Sequence, residues 1–123
     1  VALPDAQLTP VATGSAAETA AALAGSQLVI AAGVAGVELV SAEVRAASGD
    51  LRVAIDLNAV PPLGIAGVET TDKAKQRDHV IGYGAIGVGG TKMKIHRAAI
   101  QQLFTANSLV LDAEEIFELG KKM

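Results

Sequence analysis

Residues 28–56 read LVIAAGVAGVELVSAEVRAASGDLRVAID, and this stretch decides the fold. The apolar run Leu28 to Ala32 is too short for an exposed helix and reads, from about Gln27, as a strand buried on both faces. Gly33-Val34-Ala35-Gly36 then turns the chain. Val37 to Ala47 carries a helical pattern, Ser48-Gly49-Asp50 breaks it, and Leu51 to Asp56 reads as the next strand, with Asp56 at its end. Strand, helix and strand in this order predict a parallel pair joined by a crossover.

Upstream, Ser15 and Glu18 have capping-box spacing, so a helix is expected from Ala16 to about Ala24, with Gly25 ending it. Downstream, Pro61-Pro62 removes two donors and stops the sheet. A polar stretch from Glu69 to Asp78 leads to a short strand at His79 to Ile81. Gly82 to Gly90 is too glycine-rich for regular structure. A helix follows from Thr91 to about Thr105, with Met93, Ile100, Leu103 and Phe104 on its apolar face. Asp112-Ala113-Glu114-Glu115 opens a last helix to about Lys122. Ile30, Val53 and Ile55 are expected in the core. The fold class expected is α/β, with a parallel sheet and terminal helices.

Composition narrows the function. With 123 residues the chain suits one domain or part of a larger one. Half of the residues are apolar, yet only two Phe and one Tyr are aromatic, which favours close backbone packing. The net charge of −3 and the scattered cations argue against a nucleic-acid surface. Without cysteine, and with two histidines lacking ligand spacing, no metal site is expected. The apolar run Leu23 to Val40 is interrupted by Ser26, Gln27, Glu38 and three glycines, so it is not read as a membrane span. No basic segment leads into an apolar core at the start, and a cytoplasmic location is expected.

Ligands of open parallel sheets collect beyond the carboxyl ends of the strands. Gly33 to Gly36, Asp56 to Pro62 and Gly82 to Thr91 hold that position here, and their small residues would let a flat ligand approach the backbone. Gly82, Gly84 and Gly87 form a literal GxGxxG, but no second strand with an acidic ribose ligand follows at the required distance. Gly-Gly-Thr-Lys reverses the Walker order. Lys92 and His96, one turn apart on a helix, are either a basic pair for a carbonyl, anion or pterin ring, or a solvated lysine and a satisfied histidine. Asp56 and Asn58 are either an Asx turn or hydrogen-bond partners of a ribose or carboxamide.

DLNAVPPLGIAGVETTDKAK at 56–75, GYGAIGVGGTKMKIHRAAIQQLF at 82–104 and LDAEEIFELGKKM at 111–123 resemble the NAD(P)-dependent methylene-tetrahydromethanopterin dehydrogenases, and AAGVAGVELV extends the match more loosely upstream. The resemblance implies reversible hydride transfer from methylene-tetrahydromethanopterin to NADP or NAD, giving the methenyl compound. It implies that residues 1–88 form the C-terminal half of a Rossmann-type nucleotide-binding domain. Residues 89–123 are then C-terminal helices packing on the substrate domain. The family's fingerprint lies upstream of anything that aligns here, so the internal GxGxxG is a hinge or active-site loop. The opening Val and the absent first βαβ unit lead to the expectation that an N-terminal segment of the same enzyme is a partner.

Further expectations from the resemblance are a homo-oligomer, Lys92 and His96 as catalytic groups on the pterin side, and Gly33, Val34, Ala35, Asn58, Ala85, Ile86 and Gly87 toward the nicotinamide. A related dehydrogenase acting on a folate or another small substrate, and a fragment acting only by association, are the alternatives.

Overall fold

The computed structural model describes residues 5–123, which divide into two compact units. The first is Pro10–Val88. The second is Gly89–Met123 with the described residues before Pro10.

In the first unit, α1 (Ala16–Leu23) starts at Ser15, whose hydroxyl oxygen accepts the Glu18 N–H at 3.3 Å. The Glu18 carboxylate takes the Ser15 hydroxyl rather than its backbone N–H, so only half of the expected capping box forms. Strand β1 (Leu28–Ala31) follows, then α2 (Ala42–Ala47), capped by Ser41. This helix is shorter than its sequence pattern because Val40 is diverted into a parallel bridge with Ile65. Next come β2 (Val53–Asp56), β3 (Lys75–Arg77) and β4 (Val80–Tyr83).

The sheet order is β1-β2-β4-β3, with β1, β2 and β4 parallel and β3 antiparallel to β4. β3 lies in what reads as a polar loop. Its charged, exposed side chains suit an edge strand, since charge on an edge discourages pairing with another chain. Asp78 takes a positive φ of 54° in the tight turn to β4. The connection from β2 to β4 runs through a long loop and β3 rather than a helix, with a cis Pro61–Pro62 bond.

One face of this sheet carries the core. Val29, Ala31, Ala54 and Val80 point to it by alternation, and Val40, Val44, Leu51, Ile65 and Val68 pack with them, flanked by Ala20 and Leu23 of α1. Arg45 ties the layer together although it is charged and 6% exposed. Its guanidinium donates to the Ala66 and Arg77 carbonyls at 3.0 and 3.2 Å and to Asp78 at 2.9 Å. Gly67, at φ 82°, makes room for it, because a Cβ there would lie 2.9 Å from Arg45 Nη2.

Among the described residues the other face is only partly covered. Leu28 and Ile30 are 50% and 53% exposed, and Ile81 is also exposed. This corrects two sequence expectations, that β1 is buried on both faces and that Ile30 is a core residue. The expectation fails because a continuous apolar run shows that both faces can be buried, not that both are. Val53 and Ile55 are half-buried for the same reason.

The helix α3 (Ala85–Leu103) begins six residues before Thr91, inside the glycine cluster that reads as irregular, and the division between units falls within it at Gly89. In the second unit α4 (Ala113–Lys121) has the full capping box: Asp112 accepts the Glu114 and Glu115 N–H groups, and Glu115 accepts the Asp112 N–H. Gly120 allows close approach to Ile95 of α3, where an added Cβ would sit 3.0 Å from Ile95 Cδ1. Among the described residues of this unit Ala99 is the buried hydrophobic one, whereas Met93, Ile100, Leu103 and Phe104 are exposed, Phe104 at 88%.

Candidate functional site at the strand ends

Because β1, β2 and β4 are parallel and in register, with Ala31 beside Asp56 and Ile55 beside Tyr83, their carboxyl ends share one edge. Gly33, Val34 and Ala35 follow β1, Asn58 follows β2, and Ala85, Ile86 and Gly87 follow β4. The first unit thus brings all seven residues expected at the cofactor to one end of one sheet.

The second of these turns is the most constrained. Asp56 is 1% exposed, and its two carboxylate oxygens accept the Asn58 N–H at 2.9 Å and the Ile65 N–H at 2.7 Å. The first bond is the Asx turn that the sequence allows. The second clips the far end of the Pro61-Pro62 loop to the strand. Hydrogen bonds to a charged acceptor contribute about 1.5–3 kcal/mol each, so Asp56 organises the loop, and both oxygens are used in doing so.

Asn58 differs. It is 6% exposed, and its side-chain Nδ2 has no partner among the described residues. A buried amide donor left unpaired costs about 1–3 kcal/mol, which marks this one for an acceptor. Gly64 adjoins it, and a Cβ there would lie 2.7 Å from Asn58 Nδ2, 2.8 Å from Asp56 Oδ1 and 3.0 Å from the Ala31 Cβ. Sequence reasoning missed Gly64. The available signal was a lone glycine two residues after a Pro-Pro pair.

In the β1 turn, Leu39 packs so closely on Gly33 that an added Cβ would lie 2.7 Å from Leu39 Cδ1. Val34 is well exposed and Ala35 is also exposed. Glycine 36, at φ 76°, lies against the Pro61 carbonyl, which brings the β1 and β2 turns together.

The start of α3 is occupied from within the unit. Gly84 donates to the Asp72 carbonyl at 2.9 Å, and Ile86 and Gly87 donate to the Thr70 carbonyl at 2.8 and 3.2 Å. Side chains at Gly84 or Gly87 would collide with the backbone of residues 69–72. Gly84 and Gly87 of the GxGxxG therefore serve close packing of helix on loop. Their N–H groups are engaged by carbonyls where a dinucleotide fingerprint would hold phosphates.

The same loop is braced by Asp72, whose carboxylate accepts two guanidinium bonds from Arg77 at 2.8 and 2.6 Å and the Glu69 N–H at 2.9 Å. The Arg77 hydrogen bonds hold the Asp72 carboxyl below the usual aspartate range and push the guanidinium up in turn.

Lys92 and His96 belong to the second unit. Both are exposed on α3, and neither enters a side-chain hydrogen bond or ion pair among the described residues. Among the described residues no cluster of three or more His, Cys, Asp or Glu is arranged to hold a metal ion. No described helix is long and apolar enough to cross a membrane; Leu23 to Val40 contains β1 and the turn after it.

The class that emerges is an α/β protein whose mostly parallel sheet and following helices have the layout of a Rossmann-type half-domain. No family model matches the chain. It is similar to two proteins of Methylorubrum extorquens. One is the "Bifunctional protein MdtA", 40% identical over 116 residues, which are 94% of this chain and 40% of that protein. The other is an "NAD(P)-dependent methylenetetrahydromethanopterin dehydrogenase", 33% identical over 103 residues, 81% of this chain and 35% of that protein. The chain spans no more than 40% of the length of these curated relatives.

Proposed function

We propose that this chain is part of a nicotinamide-dependent dehydrogenase that moves a hydride between methylene-tetrahydromethanopterin and NADP or NAD. Residues 1–88 supply the second half of its cofactor-binding sheet. Residues 89–123 supply helices for the substrate domain. The observation that carries the reading is the unpaired, buried Nδ2 of Asn58 at a glycine-walled strand end. It is supported by similarity to a relative whose name states this cofactor and this pterin.

The residues present fit a flat, amide-bearing group. Asn58 offers a desolvated donor for a carbonyl or hydroxyl oxygen, and Gly64 leaves the room that its amide occupies beside Asp56. Asp56 fixes the loop geometry before anything binds, so little ordering cost remains for the ligand. The nicotinamide, when bound, accepts the hydride and carries the redox chemistry. Lys92 adds positive charge, and both Lys92 and His96 add hydrogen-bonding groups for polar atoms of the pterin. Their role is orientation, since the cation formed on the substrate is stabilised by its own ring nitrogens.

The roles separate in kinetics measured on the polypeptide translated from the complete gene. Asn58→Ala is expected to raise the KM for the nicotinamide cofactor about tenfold, the worth of one hydrogen bond, with Tm little changed because that donor has no protein partner. Lys92→Gln should lower turnover and weaken the pterin while leaving the cofactor KM alone. Unchanged cofactor KM in the first variant would remove Asn58 from the site. Unchanged turnover and pterin KM in the second would remove Lys92.

A further inference from the structure

The glycines around the start of α3 are of two kinds. Gly84 and Gly87 are packed, since a Cβ at either would run into the backbone of residues 69–72. Gly89 and Gly90, just beyond them, meet nothing. Apart from the adjoining residues and the helix's own backbone, no described heavy atom lies within 4 Å of where their Cβ atoms would stand. Neither has the positive φ that would exclude a side chain.

Both lie inside a 19-residue helix. Glycine is a poor residue there because it has the most backbone freedom to lose, and each one shifts the local equilibrium toward the open chain roughly fivefold relative to alanine. For Gly84 and Gly87 close packing offsets that weakness. For Gly89 and Gly90 no contact among the described residues does so.

The position of the pair gives the weakness a meaning. The two compact units divide between Val88 and Gly89, so the weak point of α3 coincides with their boundary. On one side the helix is clamped, with Ile86 and Gly87 donating to the Thr70 carbonyl and Val88 to the Gly84 carbonyl at 2.9 Å. On the other side α4 holds it, with Gly120 close against Ile95. Residues 90–94, between these anchors, are exposed. The chain crosses the boundary a second time between Thr9 and Pro10, and residues 6–14 there are exposed and form no helix or strand, so they add no rigid link. Helices kink where glycines weaken the hydrogen-bond ladder, and a hinge is a few residues that absorb a change in backbone angles.

We infer that Gly89–Gly90 is a hinge within α3, about which the helices carrying Lys92 and His96 move relative to the strand ends carrying Gly33 and Asn58. The GxGxxG is then the fixed side of the joint and not the joint itself, because Gly84 and Gly87 are held against the loop. Lys92 and His96 follow the pair within two turns of one helix, so bending at the glycines carries both without altering their spacing. What the movement serves rests on the proposed dehydrogenase function, namely admitting a substrate and then excluding water during hydride transfer; the bending itself does not depend on it.

Distances between spin labels test it in the polypeptide translated from the complete gene, with any native cysteine replaced and labelled chains diluted into unlabelled ones so that only distances within one polypeptide are read. Ala17→Cys on α1 with Gln101→Cys on α3 spans the units, and Ala17→Cys with Lys75→Cys gives the width of a rigid body; all three positions are exposed. The distribution across the units should be clearly wider than the rigid one, and Gly89→Ala with Gly90→Ala should narrow it. In the same variant amide exchange at Thr91, Lys92 and Met93 should slow roughly tenfold, and turnover should fall several-fold with the cofactor KM within about twofold of wild type. A wild-type distribution no wider than the rigid one, or one that the alanines leave unchanged, would overturn the inference. In an active enzyme, unchanged turnover in the narrowed variant would overturn it as well, because the movement would then serve no step. A wild type inactive on the pterin whose distances still respond to the alanines would overturn the dehydrogenase reading and support the hinge.

Discussion

The sheet unit and the helical unit are stabilised in different ways. In Pro10–Val88, Leu51, Ile65, Val68, Val80 and Asp56 are fully buried, and long-range polar ties from Arg45 and Asp56 close the loops. In Gly89–Met123, Ala99 is buried, while local signals such as the Asp112 capping box and the Lys121–Glu118 pair define α4. Short helices are marginal without tertiary packing. The first unit carries its own core, and the second leaves apolar residues, Phe104, Phe117 and Val110 among them, exposed.

Substitutions in the first unit should have the larger effects. Ile65→Ala, at a site with no exposure and a backbone bridge to Val40, should cost about 2–5 kcal/mol in denaturant unfolding of the sheet. A cost below about 1 kcal/mol would mean that this core does not hold the unit. Gly87→Ala comes next. Helix propensity alone would favour alanine by about 1 kcal/mol, but the collision with the Asp72 carbonyl should reverse the sign and cost roughly 1–3 kcal/mol. A stabilised variant would show that α3 does not pack on that loop.

Arg45→Ala strands two carbonyls and should cost about 2 kcal/mol, discounted because Asp78 is largely exposed. Asp112→Ala should remove about 1 kcal/mol from α4 alone, read as lost helical circular dichroism with the sheet transition unmoved. A shifted sheet transition would show that the two units fold together.

Acid provides the mildest probe. Asp72 has its carboxyl pKa depressed in the folded state, so its stabilising contribution is complete above the ordinary aspartate value and is lost as pH falls through the lower folded one. Asp72→Asn should flatten the stability curve below about pH 4 and leave it parallel to wild type near neutrality. An unaltered acid limb would show that the Arg77 pair does not form in solution.

Much of the sheet was legible from sequence because Leu28–Ala31 and Val53–Asp56 are bounded by glycine and polar turns, which fix period and length together. Local chemistry also predicted the Asp112 cap and offered the Asx turn as one of two readings of Asp56 and Asn58. What was not legible depended on tertiary partners. The glycines before Thr91 discourage a helix in isolation, and they form one because Gly84 and Gly87 fit against the backbone of the preceding loop. β3 is polar because it is an edge, and β1 is apolar where this chain leaves it exposed. At the strand ends, position after each strand pointed to the Gly33 and Asp56 turns, and the resemblance singled out Gly33 and Asn58 within them. The approach of Gly64 joins turns separated by the prolines and could be read only from the fold.

The most direct test of the dehydrogenase reading is an NADP- and NAD-linked assay of methylene-tetrahydromethanopterin oxidation by the polypeptide translated from the complete gene, its intact mass recorded first and methylene-tetrahydrofolate run in parallel. The account predicts nicotinamide reduction with the methanopterin substrate, at a rate that falls when Lys92 is replaced by Gln. A folded protein of verified mass that reduces neither cofactor with that substrate would contradict it.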